Sequence, residues 1–142
     1  MWAVIRYWSL GEFADEAGLT LDTMKGYLRK KLLPPHQAQV GRNRGWLPER
    51  GRHWIENRPS RDEMEILYAD EPVARYWSLG EFADEAGLKL DTMKDYLSKE
   101  LLPPHQAQVG RSRGWLPERG RHWMTHRRGR GARTDLYPVG VE

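Results

Sequence analysis

From Leu10 onward, apolar side chains fall at Leu10, Phe13, Ala14 and Ala17, the i, i+3, i+4, i+7 spacing of one helical face. Ser9 and Glu12 open that run as a capping box: the Ser hydroxyl can accept from the Glu12 backbone N–H while the carboxylate reaches back to Ser9. Gly18 supplies the left-handed residue that ends such a helix. Thr20 or Asp22 can cap a second helix with the apolar stripe Leu21, Met24, Leu28 and Leu32. Asp22, Thr23, Lys25, Gly26, Arg29 and Lys30 are left on its outer face. Two short helices joined by about four residues that include a Gly form a helix-turn-helix.

Leu32-Leu33-Pro34-Pro35 stops the second helix, because Pro has no N–H and pushes the residue before it out of the helical region. His36 to Val40 then alternates polar with small or apolar residues, and Gly41-Arg42-Asn43-Arg44-Gly45 is a turn signal before Trp46-Leu47. This pattern predicts a short hairpin with Arg42 and Arg44 at its tip. Pro48 suits the first position of a third helix, with Leu47, Gly51 and Trp54 inward and an end near Pro59. A unit of about 55 to 60 residues buries only about 60% of its unfolded surface. Trp8, Trp46 and Trp54 compensate, since each ring can bury about 150–250 Å².

The whole pattern then returns. Residues 6–58 and 75–127 align without a gap at an offset of 69, and only eight of the 53 positions differ: Thr20/Lys89, Gly26/Asp95, Arg29/Ser98, Lys31/Glu100, Asn43/Ser112, Ile55/Met124, Glu56/Thr125 and Asn57/His126. The expected fold is mainly α with small β-hairpin wings, as two tandem winged helix-turn-helix units at 1–59 and 75–128, an acidic linker at 60–74 and a C-terminal tail at 129–142. Leu67-Tyr68 and Leu136-Tyr137 recur at the same offset. Either each unit ends in a docking apolar pair, or a short window matches by chance.

Zero Cys excludes disulfides, thiolate zinc sites, iron–sulfur clusters and thiol nucleophiles. No apolar run approaches the roughly 20 residues of a membrane helix, and the opening Met1 to Trp8 lacks the basic start and length of a signal peptide, so a cytoplasmic, nucleoid-associated location is expected. Net charge is only +3, but it sorts by segment. Copy one has ten basic against six acidic residues (+4), copy two nine against seven (+2), residues 59–74 one against five (−4) and residues 128–142 three against two (+1). The acidic linker masks two basic units, and basic units suit a polyanion.

A helix fits the major groove, and Arg and Lys contacts to phosphates supply most of the affinity for DNA. Thr23, Lys25, Tyr27, Arg29 and Lys30 are the expected groove-facing surface of copy one, with Arg42 and Arg44 along the backbone or in the minor groove. Copy two offers Thr92, Lys94, Tyr96, Lys99, Arg111 and Arg113. There Gly26, Arg29 and Lys31 give way to Asp95, Ser98 and Glu100, a loss of four units of positive charge partly offset by Lys89. Two half-sites of different sequence follow, copy one holding its own more tightly. The 16 residues 59–74 span at most about 50–55 Å, enough for units about 34 Å apart, one turn of DNA. Head-to-tail copies make a direct repeat the simplest expectation without forbidding an inverted one.

SLGEFADEAGLTLDTMKGYLRKKLLPP resembles the N-terminal DNA-binding unit of MerR-type regulators, in which a helix-turn-helix ends in Leu-Leu-Pro before a basic wing. GRNRGWLPERGRHWIENRP resembles the wing and closing helix of excisionase-like proteins. The resemblance covers residues 6–59 and 75–127. It implies a double-stranded DNA partner, a recognition helix bearing Thr23, Lys25, Tyr27, Arg29 and Lys30, and a wing bearing Arg42 and Arg44. The long coiled coil and effector domain of full-length MerR regulators have no counterpart, which removes the basis for expecting metal or drug sensing. A transcriptional regulator is the first expectation. An excisionase-like architectural factor, with an integrase or further copies of the chain as partners on DNA, is the second.

Catalysis finds little footing. Glu12, Asp15 and Glu16 share one helix with no implied pocket, and there is neither a Gly-rich phosphate loop after a strand nor a nucleophile motif, so no enzyme and no cofactor is expected. His122 and His126 are four apart on a helix, but copy one has Asn57 at the second position and no third ligand stands out, so no metal is expected. The stronger rival is a protein-interaction module whose Trp-rich surface binds a partner.

Overall fold

The computed structural model describes residues 3–127. Copy one contributes β1 (Ile5–Tyr7), α1 (Leu10–Ala17), α2 (Leu21–Arg29), β2 (Ala38–Val40), β3 (Asn43–Gly45) and α3 (Pro48–Asn57). A further helix, α4 (Arg61–Leu67), precedes β4 (Ala74–Tyr76), α5 (Leu79–Ala86), α6 (Leu90–Ser98), β5 (Ala107–Val109), β6 (Ser112–Gly114) and α7 (Pro117–His126) of copy two. Among the described residues the chain is thus mixed α/β, with seven helices and two small three-stranded sheets. None of these helices is long and apolar enough to cross a membrane.

Local chemistry sets the helix ends. Ser9 Oγ accepts from the Glu12 N–H at 3.1 Å and Glu12 Oε1 accepts from the Ser9 N–H at 2.9 Å, and Ser78 and Glu81 repeat the box in α5. The hydroxyl of Thr20, not the carboxylate of Asp22, caps α2. That helix is shorter than its apolar stripe suggested. Lys31 takes a left-handed conformation (φ 61°) and the Leu32 N–H reaches back to the Tyr27 carbonyl at 2.9 Å, the closing bond of a Schellman turn. Lys31 and Leu32 therefore lie beyond the helix, and Leu21 in its first turn is 42% exposed.

Phe13 is the hub of the first core, with ring centroids 5.5 Å from both Trp46 and Trp54. Buried indoles need acceptors. Trp46 Nε1 donates to the Pro34 carbonyl (2.8 Å) and Trp54 Nε1 to that of Leu32 (2.9 Å). Trp115 and Trp123 do the same to Pro103 and Leu101. Two carbonyls of each Leu-Leu-Pro-Pro segment are thus satisfied by indoles without a strand partner. Trp8 packs on α3 at Gly51, where a Cβ would stand 2.2 Å from Trp8 Cζ3.

Each unit was expected to carry a short hairpin with both Arg at its tip. Instead the turn consists of Gly41 and Arg42 alone, Gly41 at φ 58°, so that Val40 pairs with Asn43 and Arg44 lies within β3. Each hairpin also acquires a third strand from the other copy. β4 runs parallel to β2 (Ala38 opposite Ala74, Val40 opposite Tyr76), and β1 runs parallel to β5 (Ile5 opposite Ala107, Tyr7 opposite Val109). Single antiparallel bridges, Trp8 to Trp46 and Trp77 to Trp115, link the sheet edges. The six strands consequently form a closed ring around Tyr7, Ala38, Val40, Tyr76, Ala107 and Val109, all buried. The exchanged strand covers one edge of each hairpin, which helps three-residue strands suffice, while the other edge is joined only at the Trp bridge just past the strand. Every cross-copy pairing has its mate at an offset of 69, so the two halves obey a pseudo-twofold axis, as in an isologous dimer fused into one chain.

Residues 60–74 are not a free tether. Ser60 and Glu63 form a capping box for α4, and Met64 is buried in the first core with Tyr68 packed beside it. Arg50 forms an ion pair with Glu71, donates to the Pro35 carbonyl (3.2 Å) and lies 3.8 Å from the Tyr68 ring centroid. Arg61 donates to the Lys30 carbonyl at the end of α2 (2.6 Å). Of the pair Leu67-Tyr68 only the tyrosine docks, Leu67 being 57% exposed. Leu136-Tyr137 and the tail 129–142 lie outside the described residues.

Candidate nucleic-acid interface

On α2, Lys25, Arg29 and the capping residue Lys30 are exposed. Thr23 is half-buried, its hydroxyl accepting from that of Thr20 at 2.9 Å. Tyr27 was expected on the outward surface; its ring turns inward to the buried Trp54 (centroids 6.0 Å apart), because Tyr27 lies one helical turn after Met24 and next to Leu28, on the side of α2 that packs against the core. Tyr96 likewise meets Trp123 at 6.2 Å. Leu21, expected inside, and its counterpart Leu90 are each 42% exposed in the first turn of their helices.

The surface of α6 differs in more than charge. Lys89 makes no side-chain cap where Thr20 makes one, and Thr92 is half-buried. Lys94 is exposed, but Lys99 is bound to Asp95 at 3.0 Å, an i,i+4 pair that copy one lacks because it has Gly26 there. Glu100, like Lys31, sits in the left-handed position past the helix end, so neither belongs to the helical face.

The ring brings the two turns together. Asn43 Nδ2 donates to Ser112 Oγ at 2.8 Å, which places Arg42 and Arg111 on either side of one contact rather than on two separate tips. Arg44 and Arg113 sit on the outer faces of β3 and β6, opposite Gln39 and Gln108. All four arginines are exposed and make no ion pair and no ring contact among the described residues. By contrast Arg50, Arg52, Arg58, Arg121 and Arg127 lie over aromatic rings.

Sequence reasoning passed over Arg6, Arg75, His36 and His105. The signal was present in Arg-Tyr-Trp, repeated at 6–8 and 75–77, where an exposed Arg alternates with a buried Tyr as on a strand. Its neighbours could not be read, since they belong to the other copy. Burial and the nearby Arg44 and Arg75 guanidiniums lower the His36 pKa, against a hydrogen bond to Gln39 that raises it. His105 is lowered chiefly by burial, with Arg113 and Arg6 adding to the effect and Gln108 opposing it. Inside the ring, burial and the Tyr76 hydroxyl raise the Tyr7 phenol above its ordinary range.

His122 and His126 stack at 4.0 Å, and His126 Nδ1 lies 2.9 Å from the His122 carbonyl oxygen. No group of three potential metal ligands occurs among the described residues. Comparison with protein-family models, curated proteins and solved structures finds no match for this chain.

Proposed function

We propose that this chain binds double-stranded DNA sequence-specifically through two winged helix-turn-helix units fused in one chain, in the role of a transcriptional regulator. α2 and α6 are the recognition helices, and the hairpins are the wings. The observation that carries this reading is the set of exposed arginines at 42, 44, 111 and 113 that make no ion pair among the described residues, whereas Arg50, Arg52, Arg58, Arg121 and Arg127 lie over aromatic rings. Arg without a carboxylate partner is suited to phosphate, which it binds in bidentate fashion. Exposed Lys25, Arg29 and Lys30 would supply a groove-facing surface on α2, and Leu21 an apolar contact for a thymine methyl.

The pseudo-twofold relation of the copies favours an inverted pair of half-sites over the direct repeat that head-to-tail order suggested, because B-DNA presents matching local dyads. The halves are unequal in sequence, since α2 and α6 differ at Gly26/Asp95 and Arg29/Ser98, and the copy-one half binds more tightly because Lys99 is engaged by Asp95.

Selection from a random duplex pool, followed by titration of the winning duplex at several salt concentrations, tests the reading. The expected result is an inverted, imperfect repeat whose log Kobs falls linearly with log salt, with a slope of about −0.9 per neutralised phosphate. Absence of enrichment, or an affinity indifferent to salt, would favour a protein-interaction role instead.

A further inference from the structure

We infer that Arg6 and Arg75 complete two equivalent phosphate-binding sites on the outer surface of the strand ring, each built from both copies and each seating the sugar–phosphate backbone of bound duplex. The inference rests on the DNA-binding reading above and adds residues and an assembly rule to it.

Within one sheet Gln39 stands opposite Arg44 on β3 and opposite Arg75 on β4. Its neighbours Ala38 and Val40 point into the ring, so Arg44, Gln39 and Arg75 share the outer face as a row. At about 4.8 Å between strands the row is about 10 Å wide, a span over which two forked guanidiniums can engage phosphate oxygens from two sides. The row is also ordered. Gln39 Nε2 donates to the Gly41 carbonyl at 3.1 Å, which turns the amide oxygen toward Arg75, whose Nη1 donates to it at 3.2 Å. A neutral amide orients that guanidinium and leaves its charge uncompensated.

His36 lies beside the row, its ring 6.2 Å from Trp46, with a buried Nε2 that has no hydrogen-bond partner among the described residues. Both Arg44 and Arg75 act on this imidazole electrostatically, which places the two like charges about one small patch. A cleft of about 250 Å³ adjoins it, lined by Gln39, Arg75, Trp77 and Glu81 among others. Glu81 is the one carboxylate there, and its Oε1 is held by the Ser78 N–H at 3.0 Å as part of the α5 capping box. The row recurs with Arg113, Gln108 and Arg6, Gln108 Nε2 donating to the Gly110 carbonyl at 3.1 Å and His105 Nε2 again buried without a hydrogen-bond partner among the described residues, although no hydrogen bond joins Arg6 to Gln108 there. In both rows one Arg comes from each copy, so neither half of the chain can assemble a site by itself.

The test uses the full chain and its selected duplex. Arg6→Gln with Arg75→Gln should weaken binding at least tenfold near physiological salt and lower the magnitude of the salt slope by about 2, one phosphate per site at about 0.9 each. Gln keeps a polar side chain on the strand, and circular dichroism with urea unfolding checks that the ring is intact. The control pair Arg52→Gln with Arg121→Gln removes the same charge from guanidiniums lying 5.5 and 5.4 Å from the Trp8 and Trp77 rings, and should leave the slope unchanged. Equal slopes for wild type and the Arg6/Arg75 variant, or equal losses for both pairs, would overturn the inference while leaving DNA binding in place. A wild-type chain that binds no duplex would defeat both proposals. Nuclear magnetic resonance of the Arg6 and Arg75 Nε–H groups adds a last arm: saturation by inorganic phosphate but no response to duplex would reassign the sites to a small anion and overturn the inference as stated.

Discussion

Asn43 and Ser112 occupy the same position in the two copies, and the amide of one donates to the hydroxyl of the other at 2.8 Å. Contact between equivalent residues is the mark of a twofold axis, and here it lies within a single chain. The chain contains no Cys, so a pair introduced as Asn43→Cys and Ser112→Cys is chemically unambiguous. A short bifunctional thiol reagent should join them within one molecule in high yield, giving a faster-migrating band and a linked peptide by mass spectrometry. Two units moving independently would give mainly unlinked or intermolecular product.

Gly51 and Gly120 make room for indole rings. A Cβ at Gly51 would fall 2.2 Å from Trp8 Cζ3, and one at Gly120 would fall 2.3 Å from Trp77 Cζ3. Both rings sit in packed cores, so Gly51→Ala or Gly120→Ala should cost at least about 1–3 kcal/mol, the usual range for overpacking. Urea midpoints measure it. An unchanged midpoint at either position would mean that the tryptophan does not rest on the third helix.

Thr20 caps α2 with its hydroxyl, whereas Lys89 caps nothing in α6. Thr20→Ala should therefore destabilise by about 1 kcal/mol and Lys89→Thr should stabilise by a similar amount. Amide exchange across the first turns of the two helices would report the change locally. A Lys89→Thr chain with unaltered protection at Asp91 to Met93 would contradict this account of the difference between the copies.

Both ring-side histidines are held below their ordinary pKa, principally by burial, with Arg44 and Arg75 acting on His36 and Arg113 and Arg6 on His105. Above the unfolded value of about 6.5 the imidazoles are neutral in both states and impose no penalty. Below it the unfolded chain takes up protons that the folded chain resists, so stability falls as pH drops from about 6.5 toward the lowered folded values. His36→Gln with His105→Gln should flatten this part of the unfolding free energy between pH 7.5 and 5. A variant with the same pH slope as wild type would exclude the histidines as its source.

Much of the local structure was legible in the residues alone. Ser9, Glu12 and Gly18 act on neighbours within one helical turn, and Pro34, Pro35 and Pro48 act through their own backbone, so helix starts and stops follow from short-range chemistry. The duplication and the exposed cationic residues of the second helix were equally readable. Partnership between distant residues was not. That Arg75 of one copy would lie beside Gln39 of the other, that Tyr27 would turn to Trp54, and that the acidic segment would be held by Arg50 all depend on how edges and faces are covered in three dimensions. Two nearly identical hairpins offer the same unpaired edge, and sequence cannot say which copy's strand fills it. The tertiary structure decides by joining six short strands into one ring, where exchange between the copies covers one edge of each hairpin and buries Tyr7 and Tyr76 in one cluster.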